Sequence, residues 1–302
     1  MRRRAVFLSA FVVALVAGAA PADAVSSPSG RLAVQVFVGN VTEIVTMNPD
    51  GSNQQVVFTS ADHPRFTCVS GLDLSADGTK IVAAFCPGNI TRLYTMNADG
   101  SSLQRVGPKI ESGAPSWSPD GSQIAFVSSA KTTSIYVMNA DGSGLVRLTG
   151  KGEPTGGSPT WSPDGSQIAF ASYGFRTRRL VVMDAAGTSF HTVYSTKRHS
   201  VDEPSWSPDG STIAFDLNDI FNFPGNIWTI HPDGTGLTQV TNTPNVGARA
   251  ASWSPDGSWL AYLRYNSRTG GSDDVVTSLP DGSNATRLRS QSDEVNLSWG
   301  GP

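Results

Sequence analysis

Four histidines and two cysteines are spread over 302 residues, and charged side chains make up only 16% of the chain. These scarcities exclude several kinds of site. No Cys-x-x-Cys pair offers zinc thiolates, no Gly-x-Ser-x-Gly turn offers a nucleophile elbow, and no phosphate loop is present. Catalytic residues, a bound metal and a cofactor are therefore not expected. A net charge of −3 likewise argues against nucleic acid as a partner.

What the chain has in quantity is repetition. The string SWSPDGSQIAF (Ser116 to Phe126) returns as TWSPDGSQIAF (Thr160 to Phe170), SWSPDGSTIAF (Ser205 to Phe215) and SWSPDGSWLAY (Ser252 to Tyr262), with a degraded copy at Asp73 to Ala83. The interval is roughly 45 residues, the period of a propeller or solenoid. In each copy the Pro presets φ, the Asp can bond nearby amides and the Gly can take φ > 0, which makes the string a hairpin turn. The strand after it, Ile124 to Val127 in one copy, is apolar on both faces and must be covered on both. Downstream lie MNPDG (Met47 to Gly51), MNADG (Met96 to Gly100 and Met138 to Gly142) and weaker relatives, each between two further β-prone runs. One repeat is thus four antiparallel strands, a to d, the composition of a propeller blade.

The first repeat, beginning at Arg31, lacks strand a, and the chain finishes with an orphan strand a, Val295 to Trp299. The two fragments complete each other. The expected fold is all-β: a six-bladed propeller whose C-terminal strand closes the ring and removes its open edges. Residues 25–302 form this single domain, with no length left over for a catalytic one. Residues 1–24 read as an export signal, with Arg2 to Arg4, an apolar run to about Ala20 and the small-residue pattern Ala22-Asp23-Ala24. The mature protein is expected in the periplasm, the cell envelope or the medium, without stable membrane insertion. In such a compartment Cys68 and Cys86, which oppose each other across the a-b hairpin of blade two, are expected to form a disulfide, although a register shift of one residue would separate them.

In a propeller the a-b and c-d turns emerge on one face and the b-c and d-a loops on the other. Here the first set is uniform, and the second varies, from Gly39 to Val41 in blade one to Asp216 to Gly225 in blade five and Arg264 to Asp273 in blade six. Individual loops on a rigid ring are where recognition usually sits. The candidate ligand-binding residues on that face are Tyr173, Phe175, Arg176, Arg178, Phe221, Phe223, Arg264, Tyr265 and Arg268, since aromatics and arginines anchor binding surfaces. Phe221 and Phe223 either join that surface or tuck under their own loop. Asp202 and Glu203, ahead of strand a of blade five, and Asp293 and Glu294, ahead of the closing strand, are expected as solvated rim charge. His63 and His199 fall in d-a loops three blades apart, too far to share a metal.

The Trp117-Ser118-Pro119-Asp120-Gly121 string, its copies and the MNADG strings resemble the six-bladed propeller of the TolB family, over nearly all of the chain after residue 24. TolB itself is periplasmic and binds other envelope proteins; its N-terminal α/β domain has no counterpart in this sequence. That resemblance is specific for fold and not for function; with no clustered histidines and no added catalytic domain, the protein is expected to be a monomeric, non-catalytic scaffold that binds a protein or peptide on its variable face. The alternative is a carbohydrate-active lyase or hydrolase, or a glycan-binding lectin, with Tyr173, Phe175 and Tyr265 stacking on sugar rings.

Overall fold

In the computed structural model, which describes residues 27–88, 90–129, 133–150, 154–174, 177–219, 225–242, 246–266 and 273–301, every helix or strand is a strand. Residues 1–24, expected from the sequence to be an export signal, lie outside these residues. Among the described residues no helix is long and apolar enough to cross a membrane.

Each turn closes with its own polar atoms. Ser118 Oγ donates to Asp120 Oδ1 at 2.6 Å, Ser122 N donates to the same oxygen at 3.0 Å, and Gln123 N donates back to Ser118 Oγ at 2.9 Å. Gly121 sits at φ 67°, where a Cβ would be strained. The hydroxyl of Ser118, then the amide and hydroxyl of Ser122, hold Asp120 down to about 2. The same bonds recur around Asp164 and Asp209. The aspartates are thereby accounted for as turn formers.

Blades two to five are separate four-stranded sheets. Blade three, for example, runs Gly113–Trp117, Gln123–Ser128, Ser134–Asn139 and Val146–Arg147 as strands a to d. Blades six and one share one seven-stranded sheet, because the strand Thr286–Gly300 is continuous. Its first part pairs with Asp273–Ser278 as strand d of blade six, and its second pairs with Arg31–Val38 as strand a of blade one. Ring closure by the C-terminal strand is thus observed. Strand b is covered on both faces, as expected: Ile124, Ala125 and Phe126 are all fully buried. Strand d, outermost and least covered, shrinks to two paired residues in blades two, three and five.

Strand a carries a device that its sequence does not announce. In blades three to six its pairing with strand b slips just before the Ser/Thr-Trp step, and Ala114, Ser158, Glu203 and Ala250 take φ between 44° and 55° at the slip. Such bulges bend a strand and re-aim its side chains. In blade two the bulge at Gly71 decides the fate of the cysteines. Near the turn Leu74 pairs with Ile81, a register that would bring Cys68 opposite Pro87; beyond Gly71 the register has stepped by one and Val69 pairs with Phe85. That step brings Cys86 to Cys68, and the disulfide forms with a Cα separation of 5.1 Å. It fits an oxidising compartment. Because it closes a short loop that strand pairing already holds, the Cys68→Ser/Cys86→Ser variant should lose stability at the low end of about 2–4 kcal/mol, a fall in Tm of several degrees in calorimetry. An unchanged Tm would show that the hairpin needs no covalent tie.

Candidate functional site

The six strands a surround a central channel. Its two halves share a belt of polar side chains: Ser116, Thr160, Ser205, Ser252 and Ser298, with Asp73 at the corresponding place in blade two. This belt stitches neighbouring blades. Trp299 N donates to Ser252 Oγ at 3.0 Å, Leu74 N donates to Ser298 Oγ at 3.0 Å, and Trp117 N donates to Asp73 Oδ2 at 2.7 Å. On the side of the uniform turns the channel opens into a cavity of about 330 Å³ walled by the repeated Trp and Pro residues. On the variable side it holds a polar cavity of about 280 Å³, lined by the bulge residues and by two acids, Asp73 and Glu203. Burial pushes the Asp73 carboxyl up to about 6, against hydrogen bonds from Ser298, Trp117, Ser116 and Leu74.

Toward the variable face, two aromatic groups stand over the boundaries between blades four, five and six. Tyr173, the last residue of strand b in blade four (Gln167–Tyr173), donates its hydroxyl to Asp202 of blade five. The Arg178 guanidinium lies 5.6 Å from the centre of the Tyr173 ring and donates to Gly174 O at 2.8 Å. Burial and the Asp202 charge push the Tyr173 phenol well above its ordinary range, so it stays a neutral donor at physiological pH. Tyr173 nevertheless remains 41% exposed, enough for a partner to reach its ring. Tyr265, in strand b of blade six (Leu260–Asn266), accepts from Gly225 N of blade five at 3.2 Å and lies beside the Arg249 guanidinium, 5.7 Å from ring centre to Cζ. Gly247 opposite makes room for it: a Cβ there would fall 2.1 Å from the Tyr265 ring.

Of the residues singled out in the sequence, Tyr173, Arg178, Arg264 and Tyr265 lie at strand ends and not in loops. Arg264 is engaged within its own hairpin, 3.0 Å from Asp274. Phe175, Arg176, Phe221, Phe223 and Arg268 lie outside the described residues, as do the side chains of Asp293 and Glu294. His63 stacks on Phe58, and His199 begins strand a of blade five (His199–Trp206) and is not a loop residue. No group of three His, Cys, Asp or Glu among the described residues is placed to hold a metal.

One expectation about the acids is corrected. Asp202 and Glu203 are inside strand a of blade five, and Asp216 belongs to strand b (Ile213–Asp219), not to the loop after it. Asp216 is 1% exposed, and its carboxyl lies beside that of Glu203. Burial, foremost, raises both carboxyls; Arg249 pulls Glu203 back and Asp202 pushes it further up, while Asp216 is raised by Glu203 as well. The bulge turned Glu203 inward, where a regular strand would have left it on the rim. The clue available in the sequence was departure from the repeat: Asp73 replaces Ser or Thr, and Asp216 stands where other blades have residues such as Val127 and Ala171.

Residues 156–299 match the family model described as the TolB beta propeller domain, PD40. Among solved structures, TolB from Acinetobacter baumannii superposes with a TM-score of 0.76 at 19% identity, over 90% of this chain; the chain spans 66% of that TolB. A putative TolB from Agrobacterium tumefaciens gives 0.69 at 19% identity, over 90% of this chain and 92% of that one. An oligogalacturonate lyase in complex with manganese gives 0.55 at 16% identity, over 87% and 74%. A search of curated proteins found no match.

Proposed function

Taking as premise that the chain carries a TolB-like six-bladed propeller, we propose that it is an exported, non-catalytic scaffold that binds a protein or peptide across its variable face. The observation that carries this reading is the asymmetry between the faces. Uniform, self-satisfied turns crowd one side, while Tyr173 with Arg178 and Tyr265 with Arg249 stand over the blade boundaries of the other, around a polar channel mouth. Partly exposed aromatic rings held in place by hydrogen bonds lose little entropy when a partner packs on them, which is what anchor residues require. Phe175, Arg176, Phe221, Phe223 and Arg268 extend the same surface in this proposal.

The test is a screen of peptide and glycan arrays with the protein lacking residues 1–24, followed by alanine substitution. Peptide ligands should emerge, and Tyr173→Ala and Tyr265→Ala should each weaken them by roughly 1–4 kcal/mol in calorimetric titration. Exclusive capture of glycans, or turnover of one, would replace the reading with a carbohydrate-active one.

A further inference from the structure

Glu203 and Asp216 occupy two stations that every blade repeats: the position of strand a at or beside its bulge, three residues before the Trp where there is one, and the neighbouring position of strand b. Elsewhere these stations hold small or apolar residues, such as Ala114 with Val127 or Ser158 with Ala171. Blade one is the other exception, with Asn296 opposite Gln35. There the pair is made of amides, which bring their own donors. Asn296 Nδ2 donates to Gln35 Oε1 at 2.6 Å, and Gln35 Nε2 donates to Val69 O of blade two at 2.9 Å, tying one blade to the next. Blade five places two acids at the same stations: Asp216 Oδ2 accepts from Ala250 N of blade six at 3.1 Å, and the Glu203 carboxyl lies beside that of Asp216. Glu203 Oε2 and Asp216 Oδ1 are both shut off from solvent and meet no protein donor. Two neighbouring carboxyls whose facing oxygens have no other donor can share a hydrogen bond only if one of them keeps its proton.

We propose that the Glu203–Asp216 pair is a one-proton clamp on the seam between blades five and six, and that loss of the proton loosens the seam and changes the binding face above it. The second clause rests on the function proposed above; the first does not. The groups around the pair are Arg249 from strand a of blade six, which stabilises the ionised form, and Asp202 on the pair's own blade, which opposes it. Tyr173 is tied to Asp202 and stays neutral. Arg249 also stands over Tyr265, and Tyr265 holds Gly225 N, so movement at the seam reaches both aromatic groups of that boundary.

The sign follows from the direction of the shifts. Carboxyls raised by folding contribute their full stability below the ordinary carboxylate range and lose it as pH rises through their raised values. Asp73 adds a loss of the same sign through about pH 6, so the wild-type curve alone is not diagnostic. The control is written in blade one: Glu203→Gln/Asp216→Asn copies its amides, and Glu203→Gln alone is the milder variant. Between about pH 5 and pH 8, the wild-type Tm should fall more steeply than that of either variant. Protection of the Ala250 amide from hydrogen exchange, corrected for the intrinsic rate, should drop on the order of tenfold in the wild type and stay level in the double variant. Parallel Tm curves with equal Ala250 protection would overturn the clamp, and need no ligand to do so. With a peptide from the array screen, affinity should vary with pH in the wild type and not in the double variant. Equal pH dependence in both would overturn the link to the binding face while leaving the clamp and the binding function standing.

Discussion

Deleting Asn296 to Pro302 should cost several kcal/mol of the roughly 5–15 that a domain has available, and should leave a chain that unfolds far below the parent. The segment does three jobs at once. As strand a it pairs with Arg31–Val38, matching Leu32 with Trp299 and Val34 with Leu297. It buries Trp299 to 7% exposure among Leu32, Val34, Ala250 and Trp259, and the indole donates to Ser29 O at 2.8 Å. It also stitches blade one to its neighbour, through Ser298 to Asp73 and Leu74 and through Gly301 N to Ala76 O at 3.0 Å. Removing it exposes a long edge on blade one and invites pairing between molecules. Thermal unfolding with light scattering checks this: a truncated protein that melts within a couple of degrees of the parent, and stays monodisperse, would mean that the ring does not depend on its closing strand.

Phe170→Ala should be among the most damaging single truncations of a side chain, at about 3–5 kcal/mol. Phe170 is fully buried and belongs to a cluster that joins blade three (Ile135, Val137, Leu148) to blade four (Trp161, Val181, Met183), so the cavity left behind weakens the contact between blades as well as the blade itself. Phe126 and Phe215, also fully buried, hold the same station in their blades and should behave alike. Urea unfolding of the three variants measures this. A loss under about 1 kcal/mol would mean that the blades pack more loosely than close-packed side chains allow.

The fold was legible because a repeat is its own control. SWSPDG names a turn that needs only its own Ser, Asp and Gly to close, and IAF names a strand that neighbours must cover on both faces; neither depends on distant context. The orphan ends at Arg31 and Trp299 then imply closure. The disulfide was expected for the right partners, but the register that makes it comes from a bulge at Gly71, a glycine inside a strand whose meaning the repeat pattern alone does not reveal. The same blindness hid the acids. A strand read as regular puts Glu203 at the rim, whereas φ 48° at the bulge turns it toward Asp216. Bulges of this kind arise from the fit of strand a around the channel, a tertiary demand on residues as unlike as Ala114, Ser158 and Glu203. For the proposed binding surface, Tyr173 and Tyr265 could be named from residue type, but their partners Asp202 and Gly225 belong to the next or preceding blade and follow only from the assembled ring.

The central claim, recognition on the variable face, is tested most directly by blocking one face at a time. A bulky polymer coupled through maleimide to Lys197→Cys occupies the exposed loop before strand a of blade five, and coupling to Leu145→Cys occupies the opposite side beside a uniform turn. Both positions are exposed, so both conjugates should melt like the parent. A peptide or protein ligand should lose at least about tenfold in affinity, ~1.4 kcal/mol, for the Lys197→Cys conjugate and bind the Leu145→Cys conjugate as it binds the parent. The reverse pattern would place recognition on the face of the uniform turns and contradict the account.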